Sequence, residues 1–294
     1  MTVALTATLL LSVVIGLSLG LLGGGGSILT VPILTYVAGL DPKEAIAASL
    51  FVVGATSAVS AITHARSGRV KWRTGLIFGA AGMAGAFGGG LLGGHIPGTI
   101  LMIAFALMMV ATSIAMIRGR KNKAAATHNS ELPVLKVILE GLVVGLVTGL
   151  VGAGGGFLVV PALALLGGLA MPVAVGTSLI VIALKSFAGL GGYLTTVSLD
   201  WGLVAAVTAV AIAGSIVGSR LAGRMPEAVL RKGFGIFVLA MGVFVLVQEL
   251  PAPANIILAV TAAALALAAL TCRFAIPRCP LRTTPTPVEP AQAR

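Results

Sequence analysis

Long apolar runs follow one another along most of the chain, at roughly 4–22, 27–39, 45–63, 74–94, 98–117, 134–151, 157–168, 172–194, 201–219, 227–247 and 253–272. Most approach the ~20 residues that an α-helix needs to span a bilayer. Water cannot be the solvent of such a surface. Charged residues make up 9 % of the chain and hydrophobic residues 58 %, whereas a soluble domain carries roughly 25 % charged residues. A soluble enzyme, a nucleic-acid-binding domain and a disordered hub are therefore excluded. A β-barrel would alternate apolar and polar residues in ~10-residue strands, and these runs do not alternate. The expected fold is all-α, a polytopic membrane protein.

Two of the runs, 27–39 and 157–168, are too short to span. Each follows a glycine cluster, Gly23-Gly24-Gly25-Gly26 in one case and Gly152-Ala153-Gly154-Gly155-Gly156 in the other. Short apolar pieces after Gly-rich breaks mark re-entrant or hairpin helices.

Shifted by 129 residues, the chain lies on itself without a gap. Gly16-Leu17 falls on Gly145-Leu146, Val31-Pro32 on Val160-Pro161, Ser49-Leu50 on Ser178-Leu179, Trp72 on Trp201 and Pro97 on Pro226. Between 16 and 97 there are 26 identities in 82 positions, which establishes an internal repeat. The expected organisation is a first membrane repeat over 1–118, a basic cytoplasmic linker over 119–133, and a second membrane repeat over 134–249. An extra transmembrane helix over 250–275 and a disordered cytoplasmic tail over 276–294 complete it.

Charge sets the expected orientation. Lys and Arg gather at Arg66, Arg69, Lys71 and Arg73; at Arg118, Arg120, Lys121, Lys123 and Lys136; at Arg220, Arg224, Arg231 and Lys232; and at Arg273, Arg278, Arg282 and Arg294. By the positive-inside rule these places are cytoplasmic, and the net charge of +11 needs no nucleic acid to explain it. The other loops carry Asp41, Lys43, Glu44, Asp200 and Glu249 and read as external. Equivalent loops of the two halves differ in sign, so the repeats are expected to be inverted in the membrane. The N-terminus is then external and the C-terminus cytoplasmic. No basic stretch precedes the first run, so no cleaved signal peptide is expected.

The glycine clusters are the strongest chemical signal. A backbone that leaves the helix inside a membrane exposes N–H groups that must find partners. Glycine lets several of them aim at one point, and the half-helix that follows adds its positive dipole end. Gly23, Gly24, Gly25, Gly26 and Ser27 with Gly152, Gly154, Gly155 and Gly156 are thus expected to form an anion site, with the two turns meeting near the midplane. Gly85, Gly89 and Gly93, and Gly214 with Gly218, are spaced by four and read instead as close helix packing.

Lys185 is the only Lys or Arg deep inside an apolar run, too far from either end to snorkel readily. A lone intramembrane cation suits an anionic substrate; its repeat equivalent is Thr56. Ser49, Thr177 and Ser178 are hydroxyls near the start of equivalent long helices, and Ser57 and Ser186 are a further equivalent pair. His64, His95 and His128 read as solvated loop residues, and Trp72 and Trp201 as interfacial anchors. Cys272 and Cys279 have no further ligand nearby. No catalytic residue, metal site or cofactor is expected: no histidine lies within a run to activate Ser27.

The stretches GLLGGGGSILTVPIL at 20–34 and GLVGAGGGFLVVPAL at 149–163, each followed by an SL-containing stretch at 45–50 and 176–179, resemble the sulfite exporter TauE/SafE family of membrane transporters. The resemblance covers roughly 8–248. It implies transport of small sulfur-containing anions such as sulfite, sulfonates or thiosulfate, coupled to an ion gradient. It also implies a site at Gly23 to Ser27, Gly152 to Gly156, Ser49 and Ser178. Ala48, where the second half has Thr177, departs from symmetric hydroxyl ligation. The function expected is a secondary transporter in the cytoplasmic membrane working by alternating access. The alternative is a passive anion channel using the same helix-dipole site. Expected partners are the anion and the lipid bilayer, with a proton or sodium ion as candidates for coupling and a homo-oligomer as a candidate state.

Overall fold

A computed structural model describes residues 2–22, 27–118, 134–152, 159, 163, 171–222, 227–255 and 261. Nine helices lie among the described residues: α1 (Thr2–Leu22), α2 (Thr30–Tyr36), α3 (Pro42–Arg66), α4 (Trp72–His95), α5 (Gly98–Arg118), α6 (Val134–Val151), α7 (Met171–Tyr193), α8 (Trp201–Ala222) and α9 (Glu227–Glu249). No strand occurs among these residues. Five of the helices contain stretches long and apolar enough to cross a membrane: Val3–Leu21, Pro42–Arg66, Trp72–His95, Val173–Tyr193 and Trp201–Leu221. The chain is an all-α polytopic membrane protein.

Contacts divide it into one compact unit over Met1–Leu246 and a second over Val247–Arg294. Of the second, only 247–255 and 261 are described. The linker at 119–133, most of the expected extra helix and the tail lie outside the described residues.

Two acids read from sequence as loop markers prove to start helices. Asp41 accepts from the Lys43 N–H at 3.0 Å, with Pro42 opening α3. Asp200 accepts from the N–H groups of Gly202 and Leu203 at 2.9 and 3.2 Å and opens α8. Each satisfies N–H groups that a helix N-terminus leaves without partners. His64 and His95 were expected in loops but form the last turns of α3 and α4. His64 is partly covered, and its Nδ1 is buried without a partner.

Glycine governs how the helices meet. A Cβ on Gly16 or Gly20 of α1 would collide with the carbonyl oxygen of Ala211 or Ser215 of α8. A Cβ on Gly145 or Gly149 of α6 would collide with that of Gly82 or Ala86 of α4. These are the same contacts displaced by 129 residues. From the other side, Gly85 and Gly89 meet Leu142 and Leu146, while Gly214 and Gly218 meet Val13 and Leu17. Backbones this close are possible only where side chains are absent.

The first helix of each half therefore packs on the third long helix of the other. α1, α2 and α3 gather with α8, and α6 and α7 gather with α4. Residue numbers rise together along α1 and α8, and along α6 and α4. Along α3 and α7 they oppose: Gly54 faces Ser186 and Phe187, Gly189 approaches Leu50, and Gly176 approaches His64. Contacts exchanged reciprocally are those a two-fold relation produces. Outward-facing apolar residues such as Val3, Leu10, Phe87, Leu139, Val143 and Val217 leave a surface suited to lipid.

Candidate functional site

The second glycine break is the better described of the two. Gly152 follows the last residue of α6 with φ +75°, and a Cβ there would press on the Ile46 side chain and backbone. Both its conformation and its surroundings call for glycine. The end of α6 leaves carbonyls that need donors, and three are satisfied nearby. Thr148 O accepts from the Gly152 N–H at 3.0 Å. Leu150 O accepts from the Tyr193 hydroxyl at 2.5 Å. Gly152 O accepts from the Ser49 hydroxyl at 2.9 Å. α3 and α7 thus hold the break from two sides.

Lys185 joins the same assembly. Its Nζ donates to Thr148 Oγ1 at 3.2 Å, and the Thr148 hydroxyl in turn lies 2.7 Å from Val144 O and 3.1 Å from Gly145 O. Lys185 bonds the side chain of Thr148, whose backbone carbonyl holds Gly152, whose own carbonyl holds Ser49. Lys185 is 1 % exposed. It lies fourteen residues from the start of α7, about 21 Å at 1.5 Å per residue. An ammonium has three donors, and Thr148 is its one hydrogen-bond partner among the described residues. α7 carries no Asp or Glu. Its stem packs against α4: a Cβ at Gly82 would meet Cβ and Cδ of Lys185 at 3.9 Å, an ordinary contact.

The other expected site residues are placed as follows. Ser178 donates to Val175 O in its own helix at 2.8 Å. Thr177 Oγ1 accepts from the Lys71 N–H at 3.0 Å, pinning the loop between α3 and α4 onto α7. Ser49, Thr177 and Ser178 thus spend their hydroxyls on the protein's own backbone. Ser27 is buried in the single 3₁₀ turn that precedes α2. Gly23 to Gly26 and Gly154 to Gly156 lie outside the described residues.

On the described flanks of the two clusters, Gly149 lies against Ala86 of α4, and Gly20 lies against Ser215 and Gly218 of α8. Each approach thus sits partway along a helix of the other half. At the far end of α4, Lys43 Nζ donates to Gly94 O at 2.8 Å and Thr196 approaches Gly94. The expected meeting of the two turns falls on residues outside the described ones.

Thr148 and Tyr193 were not singled out from the sequence. Thr148 has a weak signal, a lone hydroxyl four residues before a break glycine. Tyr193 has none, because its partner lies 43 residues away. Among the described residues no three His, Cys, Asp or Glu side chains gather as a metal site.

Comparison with known proteins agrees with this architecture. The chain is 35 % identical over 243 residues to a probable membrane transporter protein of Xylella fastidiosa, covering 79 % of this chain and 91 % of that one. It is 32 % identical over 197 residues to a probable membrane transporter protein of Methanocaldococcus jannaschii, covering 63 % and 72 %. It is 27 % identical over 226 residues to the probable membrane transporter protein YdhB of Bacillus subtilis, covering 76 % and 92 %. No solved structure matches it significantly. The family described as Sulfite exporter TauE/SafE matches residues 8–245: the chain belongs to this family of membrane proteins.

Proposed function

We propose that this membrane transporter is a secondary carrier for a small sulfur-containing anion of the sulfite, sulfonate or thiosulfate class. The observation that carries the reading is Lys185: a cation 1 % exposed, in a helix without an acid, held among the described residues by one neutral hydroxyl beside the second glycine break. A buried charge in a membrane is costly and marks a substrate path when no partner neutralises it. In this reading the anion supplies the missing charge. The N–H groups of the glycine clusters 23–26 and 152–156, with Ser27, receive it near the midplane. Ser49, Thr177 and Ser178 shape the helices around that path.

Alternating access is supported by the reciprocal packing. The bodies that move are α1, α2, α3 and α8 on one side and α4, α6 and α7 on the other. They hinge where α3 crosses α7, and the halves 1–118 and 134–249 are inverted in the cytoplasmic membrane. The basic linker and the C-terminus are cytoplasmic and the N-terminus external. A proton or sodium ion supplies the driving gradient.

The test is a thermal-shift scan of the purified full chain against sulfite, thiosulfate, taurine, sulfate, chloride and acetate. A ligand that binds only the folded state raises the melting point. Stabilisation by a sulfur anion, lost in Lys185→Met and kept in Ser12→Ala, is the expected result. Equal shifts with chloride and sulfate, or a Lys185→Met protein that still responds, would sink the assignment.

A further inference from the structure

Buried hydroxyls in this protein normally bond back to their own helix. Thr8, Ser12, Thr112, Ser113, Thr148, Thr208 and Ser215 all donate to a carbonyl three or four residues earlier. Thr30 and Thr35 of α2 do not, and neither do Thr56, Ser57 and Ser186: their oxygens have no hydrogen-bond partner among the described residues. The last three are 0, 1 and 0 % exposed. Leaving a polar group buried and unpaired costs free energy, and a membrane interior offers no water to repair it. Ser57 and Ser186 are repeat equivalents, so the cost is borne at the same position in both halves.

That position is special. α3 and α7 run antiparallel against each other, and a Cβ on Gly54 would lie 3.3 Å from Cβ of Ser186. By the 129-residue shift the corresponding pair is Ser57 with Ala183. The middle of the crossing falls at Ala55 and Thr56 of α3 and at Leu184 and Lys185 of α7. Ser186 thus faces α3 at Gly54, and Thr56, Ser57 and Lys185 lie within two residues of the middle of the crossing on their own helices.

Resting on the carrier reading above, we propose that Thr56, Ser57 and Ser186 form the subsite that binds the oxygens of the transported anion, with Lys185 supplying the charge. The ligand class is a small oxyanion whose several oxygens accept from donors on both helices. A cation is disfavoured. Lys185 adjoins Ser186, the single acid of α3 is Glu44 in its first turn, and α7 has none. A site on the crossing also belongs equally to both moving bodies, as a carrier's central site must if it is to face each side in turn.

The test is the double variant Ser57→Ala/Ser186→Ala in the full chain, with Ser12→Ala as control. Binding is titrated with sulfite, thiosulfate and taurine, and melting is measured without ligand. The expected result has two parts. The affinity for whichever probe stabilises the wild type falls at least tenfold. The ligand-free melting point stays equal or rises, because removing an unpaired hydroxyl breaks no bond. Ser12→Ala keeps its affinity and loses stability. A double variant that binds as wild type, or one that loses only a sodium dependence, overturns the subsite and leaves the carrier reading standing. A wild type that responds to none of the probes overturns both.

Discussion

The Ser49 hydroxyl and the Gly152 carbonyl lie 2.9 Å apart across 103 residues of sequence, joining the third helix of one half to the break in the other. Ser178, the repeat equivalent of Ser49, makes no such bridge and donates to its own helix. The two alanine variants should therefore differ. Ser49→Ala leaves a buried carbonyl unpaired and should cost about 1–3 kcal/mol. Ser178→Ala frees a carbonyl inside one helix and should cost under about 1 kcal/mol. Melting of the two proteins side by side in detergent checks this, and equal losses would mean that the bridge contributes nothing.

Thr148 is expected to matter through its hydroxyl rather than its size. Thr148→Val removes the one hydrogen-bond partner of Lys185 among the described residues while keeping the shape. It should destabilise by about 1–3 kcal/mol. Thr148→Ser should restore most of the loss. A Thr148→Val protein that melts with wild type would show that Lys185 finds another partner.

The glycine seams predict paired effects. Gly85→Ala and Gly214→Ala meet the same backbone position of the facing helix, Leu142 and Val13. Each should cost about 1–3 kcal/mol or more, because overpacking forces the helices apart. Gly88, in the same helix as Gly85, has nothing within 4 Å of an added Cβ. Gly88→Ala should be neutral or gain up to about 1 kcal/mol from helix propensity. Destabilisation by Gly88→Ala equal to that of Gly85→Ala would remove close packing as the reason for these glycines.

Two glycines of positive φ separate strain from space. Gly39 and Gly152 both have φ +75°, but nothing lies within 4 Å of a Cβ at Gly39, while Ile46 crowds Gly152. Gly39→Ala should cost about 1–2 kcal/mol for the left-handed conformation alone. Gly152→Ala should cost clearly more, and part of the excess should return when Ile46 is shortened to Val. Equal melting of the two single variants would leave Ile46 without a role.

Much of this architecture can be read before any coordinates. The 129-residue shift pairs the very glycines that the fold places in its seams, because a repeated packing problem keeps the same solution at Gly16 and Gly145, or Gly85 and Gly214. The depth of Lys185 is plain from the length of the run around it. What a hydroxyl does with its proton is harder to read. Ser49, Ser178, Ser57 and Ser186 look alike in sequence; one bridges two halves, one bonds its own helix and two have no partner. That difference depends on which carbonyl happens to face each oxygen, a tertiary matter. Tyr193 is invisible for the same reason, and Thr148 is only faintly marked.

The glycine seams also bear on ancestry. A solitary repeat would have had its α1-like helix and its α4-like helix on hand, yet in this protein neither uses the other as its principal mate. Both seams close only when a second copy is present. Duplication followed by fusion would have made that pairing permanent. Splitting the present chain at its linker and producing the pieces separately would return it to that condition, with each piece able to close its seams only in the company of the other.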